Sequence, residues 1–129
     1  MTEQDRQVLA AAAQGDAMAL TAALEAGGDP GARDRFGAPA LAFAAASGNL
    51  DCVDRLLAAG AEVGRSSDAG NSALMLAAAR GHVEVMRRLL AAGADPDHRN
   101  KWGLGAADWG RWPKNAAEVE ALLLEARPG

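Results

Sequence analysis

The sequence predicts an all-α protein: a solenoid of four stacked helix–turn–helix units of 33 residues with finger-like turns between them. Three observations predict it. The chain falls on itself without a gap when shifted by 33 residues, Gly recurs at fixed places in each unit, and Ala dominates the apolar residues. Apolar residues make up 50% of the 129, yet there is no Tyr and there are only two Phe. Ala buries little area, so a single core built this way is thin. A stack in which each unit shares its faces with its neighbours makes better use of such side chains.

The period is carried by columns. Leu24, Leu57, Leu90 and Leu123 align, as do Ala12, Ala45 and Ala78, and Leu20, Val53, Met86 and Val119 form an apolar column. Three Gly columns run through Gly15, Gly48 and Gly81, through Gly27, Gly60 and Gly93, and through Gly37, Gly70 and Gly103. The third unit shows how columns become elements. Ser72 to Ala79 reads as a short Ala-rich helix with the Ser72 hydroxyl as its cap, and Gly81 breaks it. Val83 to Ala91 reads as a second helix, with Val85, Met86, Leu89 and Leu90 on one side and Glu84, Arg87 and Arg88 on the other. Gly93 stands where a helix end favours Gly, and Asp95 to Gly103 holds the turn residues Pro, Asp, Asn and Gly. A helix pair of this size cannot bury its apolar face alone, so the units must stack.

These features resemble the ankyrin repeat. Gly81-His82-Val83-Glu84-Val85, Leu89-Leu90 and Gly93-Ala94-Asp95 follow the family pattern closely, and Gly48-Asn49, Leu56-Leu57 and Gly60-Ala61-Glu62 repeat it. The resemblance spans one domain over 1–129, in units of roughly 1–33, 34–66, 67–99 and 100–129. It implies L-shaped units in a short curved stack, with fingers beside the first helices forming a concave face. The chain departs from the family where Thr-Pro-Leu-His would open the first helix: it has Pro39-Ala40-Leu41-Ala42 and Ser72-Ala73-Leu74-Met75. The linking His of that motif is thus absent. The outer units are irregular, as capping repeats are: Gln4 and Arg6 replace the finger Gly and helix start, and Pro113 and Lys114 stand at the inter-helix Gly.

Composition limits the chemistry. Net charge is −4, which weighs against nucleic acid as a partner. The single Cys52 fits a reducing compartment. The start Met-Thr-Glu-Gln-Asp-Arg lacks a secretory signature, and no run of about 18 apolar residues occurs, so a cytoplasmic protein without a membrane span is expected. No metal-ligand spacing, phosphate loop or nucleophile elbow is present, and no cofactor or metal is expected. Cys52 shares the column of Val85 and is expected to be buried and inert. His82 is expected to brace a helix start, while His98 lies on a finger.

Candidate contact residues are those that the scaffold does not require. All three Trp fall in the fourth unit. By register, Trp102 lies on a fingertip, Trp109 aligns with the core-like Phe43 and Leu76, and Trp112 aligns with Ala46 and Ala79. The rings read either as a cover for the open end of the stack or as partner anchors, Trp and Arg being enriched in binding hot spots. Phe36 stands at the equivalent fingertip of the second unit. Fingers and first-helix ends carry Arg33, Arg35, Arg65, Arg80, Arg99, Lys101, Arg111 and Lys114, eight of the thirteen cations, against Asp34, Asp68 and Asp97 among seventeen anions. The partner-binding set is therefore Arg35, Phe36, Asp68, Asn71, Arg80, Arg99, Lys101, Trp102, Arg111 and Trp112. Asp108, close to rings and cations, is a weak candidate for an acid–base group and equally a helix-start residue.

The resemblance, together with the Ala, Gly and Arg content, points to a short bacterial-type ankyrin protein. It implies a monomeric interaction module holding one protein partner, acidic where it meets the basic face, in the manner of an inhibitor, immunity or adaptor protein. The alternative is a small-molecule binder or enzyme using a Trp-rich pocket in the last unit. Nucleic-acid binding through basic fingers is the third reading.

Overall fold

Eight helices follow one another in pairs along the described residues, 1–126 of a computed structural model. They are α1 (Glu3–Gln14) and α2 (Ala17–Glu25), α3 (Ala40–Ser47) and α4 (Leu50–Ala58), α5 (Ala73–Arg80) and α6 (Val83–Ala91), and α7 (Ala106–Trp109) and α8 (Ala116–Ala126). The first helices α1, α3, α5 and α7 pack in one row, and α2, α4, α6 and α8 in a second. The core lies between the rows and between successive pairs. Ala44, Ala45, Ala77 and Ala78 are buried in the first row, where methyl side chains let helices approach closely. Leu20, Leu41, Leu56, Leu74, Met86 and Leu89 fill the space behind them; each such side chain contributes about 1.5–3 kcal/mol on burial.

The inter-helix Gly and the residue after it form the joint between neighbouring units. Gly48 and Gly81 end α3 and α5 in the left-handed region, at φ 74° and 72°. The following column reads Asp16, Asn49, His82 and Asn115. Asn49 Oδ1 accepts from Cys52 N at 2.9 Å and so caps α4, while its Nδ2 donates to Gly15 O of the preceding unit at 2.7 Å. Asn115 Nδ2 donates to Gly81 O at 2.9 Å in the same way. His82 Nε2 is 3.2 Å from Ala46 O, also one unit back. His82 therefore does not brace its own helix start, as the sequence led one to expect; it makes no side-chain cap and reaches the preceding unit instead. Asp16 holds the same column in the first unit. It is an acceptor only, and it caps α2 through Ala19 N at 3.0 Å. Neighbouring units are thus linked by this column although the motif His is absent.

The fingers are joined by main-chain bonds. Asp68 N donates to Phe36 O at 3.0 Å, and one period on Lys101 N donates to Ala69 O at 3.0 Å. Within a finger, Asp34 Oδ1 accepts from Phe36 N and Ala38 N at 2.9 Å, and Asn100 Oδ1 accepts from Trp102 N and Leu104 N at 2.9 and 3.1 Å. Isolated bridges Arg33–Pro39 and Arg99–Gly105 close these two fingers. Ser72 caps α5 through Met75 N at 3.3 Å, in accord with its sequence reading.

The end units differ from the inner ones. In α1 the capping box of Thr2 and Asp5 starts the helix early, so it replaces a finger with an added turn. Asp5 also accepts from Asp29 N at 2.9 Å, tying that helix to the first finger. The Asp29 and Thr2 amides hold the Asp5 carboxyl below its usual range. The stabilisation is therefore full above the ordinary carboxylate range and is lost as pH falls through the depressed value. In the last unit α7 is a single turn. Gly110 ends it, and Pro113 three residues on disfavours helix at the residue before it.

Gly48→Ala is expected to cost about 1–2 kcal/mol through left-handed strain alone. The new Cβ would also lie 2.7 Å from the His82 ring. Urea denaturation of the full chain measures this, and parental stability in the variant would refute the joint as described.

Candidate functional site

Between the fingers and the first helices runs a groove of about 490 Å³. Its floor is apolar: Ala38 and Ala42, then Phe43 on α3, Ala69 on the middle finger, and Leu76 on α5. Phe36, Asp68, Asn71 and Lys101 stand along its walls, so the structure brings four of the expected contact residues together. Phe36 is 62% exposed, with the Arg35 guanidinium 5.0 Å from its ring centroid. Asn71 is half-buried, and its Oδ1 accepts from Asn100 Nδ2 at 3.1 Å, so it also locks adjacent fingers.

A second recess of about 480 Å³ lies in the last unit, lined by Leu104, Asp108, Trp109, Arg111 and Trp112. Trp112 is 81% exposed and Trp102 is 69% exposed, so neither ring covers the end of the stack. Trp109 is the partly buried one, packed against the core. Arg35, Arg80, Arg99 and Trp102 line neither cavity. Arg99 is turned to its own finger, donating to Gly103 O at 2.8 Å and lying 3.8 Å from Asp108. Asp108 Oδ2 accepts from Gly105 N at 2.8 Å, which places its carboxylate at the start of α7.

Two features of the site exceed the sequence reading. Phe43 and Leu76 are half-buried and line the floor of the groove, Phe43 also packing against the core, and with Trp109 they form one column, 33 residues apart. That spacing was visible in the sequence; its half-exposure depended on the depth of the groove. The second feature is the partition of charge. Arg6, Arg65 and Arg87 pair with Glu3, Glu62 and Glu84 at 3.7, 3.5 and 3.6 Å, and Arg88 pairs with Asp54. Arg55 donates to Thr21 across the second row of helices. Arg33, Arg35, Arg80, Lys101, Arg111 and Lys114 form no ion pair among the described residues. Arg65, expected on the concave side, instead lines a separate recess with Asp29 and Glu62.

Among the described residues, no cluster of His, Cys, Asp and Glu could hold a metal ion, and no helix is long and apolar enough to cross a membrane. Cys52 is fully buried, and desolvation pushes its thiol pKa up.

A double row of paired helices with linked fingers defines a repeat solenoid with one grooved face. The family model for ankyrin repeats, in three copies, matches residues 8–100. The chain belongs to the ankyrin-repeat family, whose members are generally protein–protein interaction modules. The match ends just before the unit in which α7 is cut to one turn. No curated protein matches the chain.

The buried thiol supplies a check on this packing. Cys52 is expected to resist Ellman's reagent in the native protein and to react fully once urea unfolds it. Because the folded pKa is raised, its contribution to stability is present below the unfolded thiol's range and declines as pH rises through the folded value. Rapid labelling of native protein would contradict the stacked core.

Proposed function

We propose that the chain, acting as one monomeric domain over 1–129, holds a single protein partner against its concave groove, and that the partner surface is acidic. The observation that carries this reading is the partition of charge. Among the described residues, cations outside the concave face are matched by anions or hydroxyls of the same chain, whereas six on fingers and first-helix ends form no ion pair, and of these Lys101 lines the apolar groove together with Asp34 and Asp68. A stack held by buried Leu and Ala has no need of either feature. Unmatched charge beside apolar surface supplies steering and anchorage for a complementary partner. Such a grip suits an inhibitor, immunity or adaptor protein working in the cytoplasm, because it occludes or positions a partner without chemistry.

The alternative, a small-molecule binder or enzyme at the Trp-rich recess, draws support from that recess's volume. Against the catalytic form of it, Asp108 is engaged by the Gly105 amide and lies near Arg99. A net charge of −4 weighs against nucleic acid.

Photo-cross-linking in cells tests the proposal. A photoreactive residue is placed at Ala69 in the groove or at the exposed Ala22 on α2. Adducts with one protein are expected from position 69 and not from 22. Arg35→Glu with Lys101→Glu is expected to slow their formation about tenfold or more, as loss of electrostatic steering does. Equal adducts from both positions, or indifference to charge reversal, would overturn the reading.

A further inference from the structure

The last unit holds a cavity whose chemistry is more specific than that of the groove. Leu104, Trp109 and Trp112 form apolar walls, and Asp108 and Arg111 are its charged members. The two charges are not equivalent. Asp108 accepts from Gly105 N at 2.8 Å and lies 3.8 Å from Arg99, so its charge is used inside the protein. Arg111 has no ion pair among the described residues and is exposed. To a ligand the recess therefore offers one uncompensated cation beside indole rings.

Register shows that Arg111 and Trp112 are not demanded by the fold. One and two periods earlier their positions hold Ala78 and Ala45, which are buried, and Ala79 and Ala46. In the inner units these small residues let the next helix approach. In the last unit the chain replaces them with its largest cation and its largest ring, and holds both outward. Leu104, at the register of Asn71 and Ala38, adds a third exposed apolar surface, 41% accessible.

We infer that this recess is a subsite for a partner segment in which a bulky aliphatic or aromatic side chain adjoins a carboxylate. The apolar side chain enters against Trp109, Trp112 and Leu104, and the carboxylate meets Arg111 at the rim. An ion pair at the edge of a desolvated aromatic pocket gains from both its partners, since the ring excludes water and the guanidinium fixes the acid. The inference rests on the proposal of a protein partner on this face, and it names the part of the partner that the last unit reads.

The protein carries its own probe. It has three Trp and no Tyr, and Trp102, Trp109 and Trp112 all lie in the last unit, so intrinsic emission reports on this unit alone. The full chain is titrated with a capped peptide of glutamates around one leucine. Two further peptides carry lysines in place of the glutamates or serine in place of the leucine, and a single-stranded oligothymidylate is the fourth probe. Saturable change in emission is expected with the acidic leucine peptide, about tenfold tighter than with either altered peptide. Arg111→Glu and, separately, Trp112→Ala are each expected to weaken it about fivefold or more, as loss of a hot-spot residue does. Both side chains are exposed, so neither change disturbs the core. No saturable response, equal binding of the lysine or serine peptide, tighter binding of the oligonucleotide, or indifference to Arg111→Glu would each overturn the subsite. Failure here with cross-links still arising at position 69 would remove the subsite and leave the groove as the binding site. Loss of both would remove the functional reading itself.

Discussion

A pair of helices eight or nine residues long has one apolar side and nothing of its own to bury it against. The structure follows from that constraint. Each pair in the interior packs on the one before it and on the one after, and Leu41, Leu74 and Met86 are buried in the resulting core. Such an arrangement is stable only when neighbours repeat in register. The joint at the inter-helix Gly enforces the register, because Asn49, His82 and Asn115 each reach one unit back to a main-chain carbonyl. The Gly is needed twice at Gly48 and Gly81, for its left-handed backbone and for the side chain laid across it.

A rigid stack has a consequence for recognition. The fingers are carried at fixed spacing and bonded main chain to main chain, so Phe36, Ala69 and Trp102 occupy equivalent tips in a line. Whatever meets this face meets a preformed surface, and little ordering entropy is lost on binding. The scaffold residues are interchangeable along the period, while the residues that break the period are free to vary. The last unit breaks it most, with a shortened α7 and exposed indoles.

Much of the fold was legible in the sequence because the period states the same instruction several times. Leu and Gly columns placed the helix pairs, and α6 runs from Val83 to Ala91 as its apolar spacing required. Ser72 declared itself as a cap by chemistry and position. Other features depended on three-dimensional proximity that no column records. The direction in which His82 reaches depends on the Gly48 surface beneath it. The half-exposure of Phe43 and Leu76 depends on how far the fingers stand off the first helices. The ending of α7 was signalled by Gly110 and Pro113, but the strong period masked the signal. Of the candidate site, the list of unusual side chains was readable, whereas which cations were already neutralised was not. Arg65 and Arg99 looked alike as finger residues, and the structure gives both a carboxylate neighbour, Glu62 and Asp108.

The central claim is that exposed rings on the fingers and last unit serve recognition and not the stability of the stack. The most direct measurement is the urea unfolding free energy of the chain carrying Phe36→Ser, Trp102→Ser and Trp112→Ser together. Exposed sites usually change stability by about 0.5 kcal/mol each, so a total within about 1.5 kcal/mol of the parent is expected. A loss of about 4 kcal/mol or more, the scale of removing core side chains, would make the rings part of the scaffold and contradict the claim.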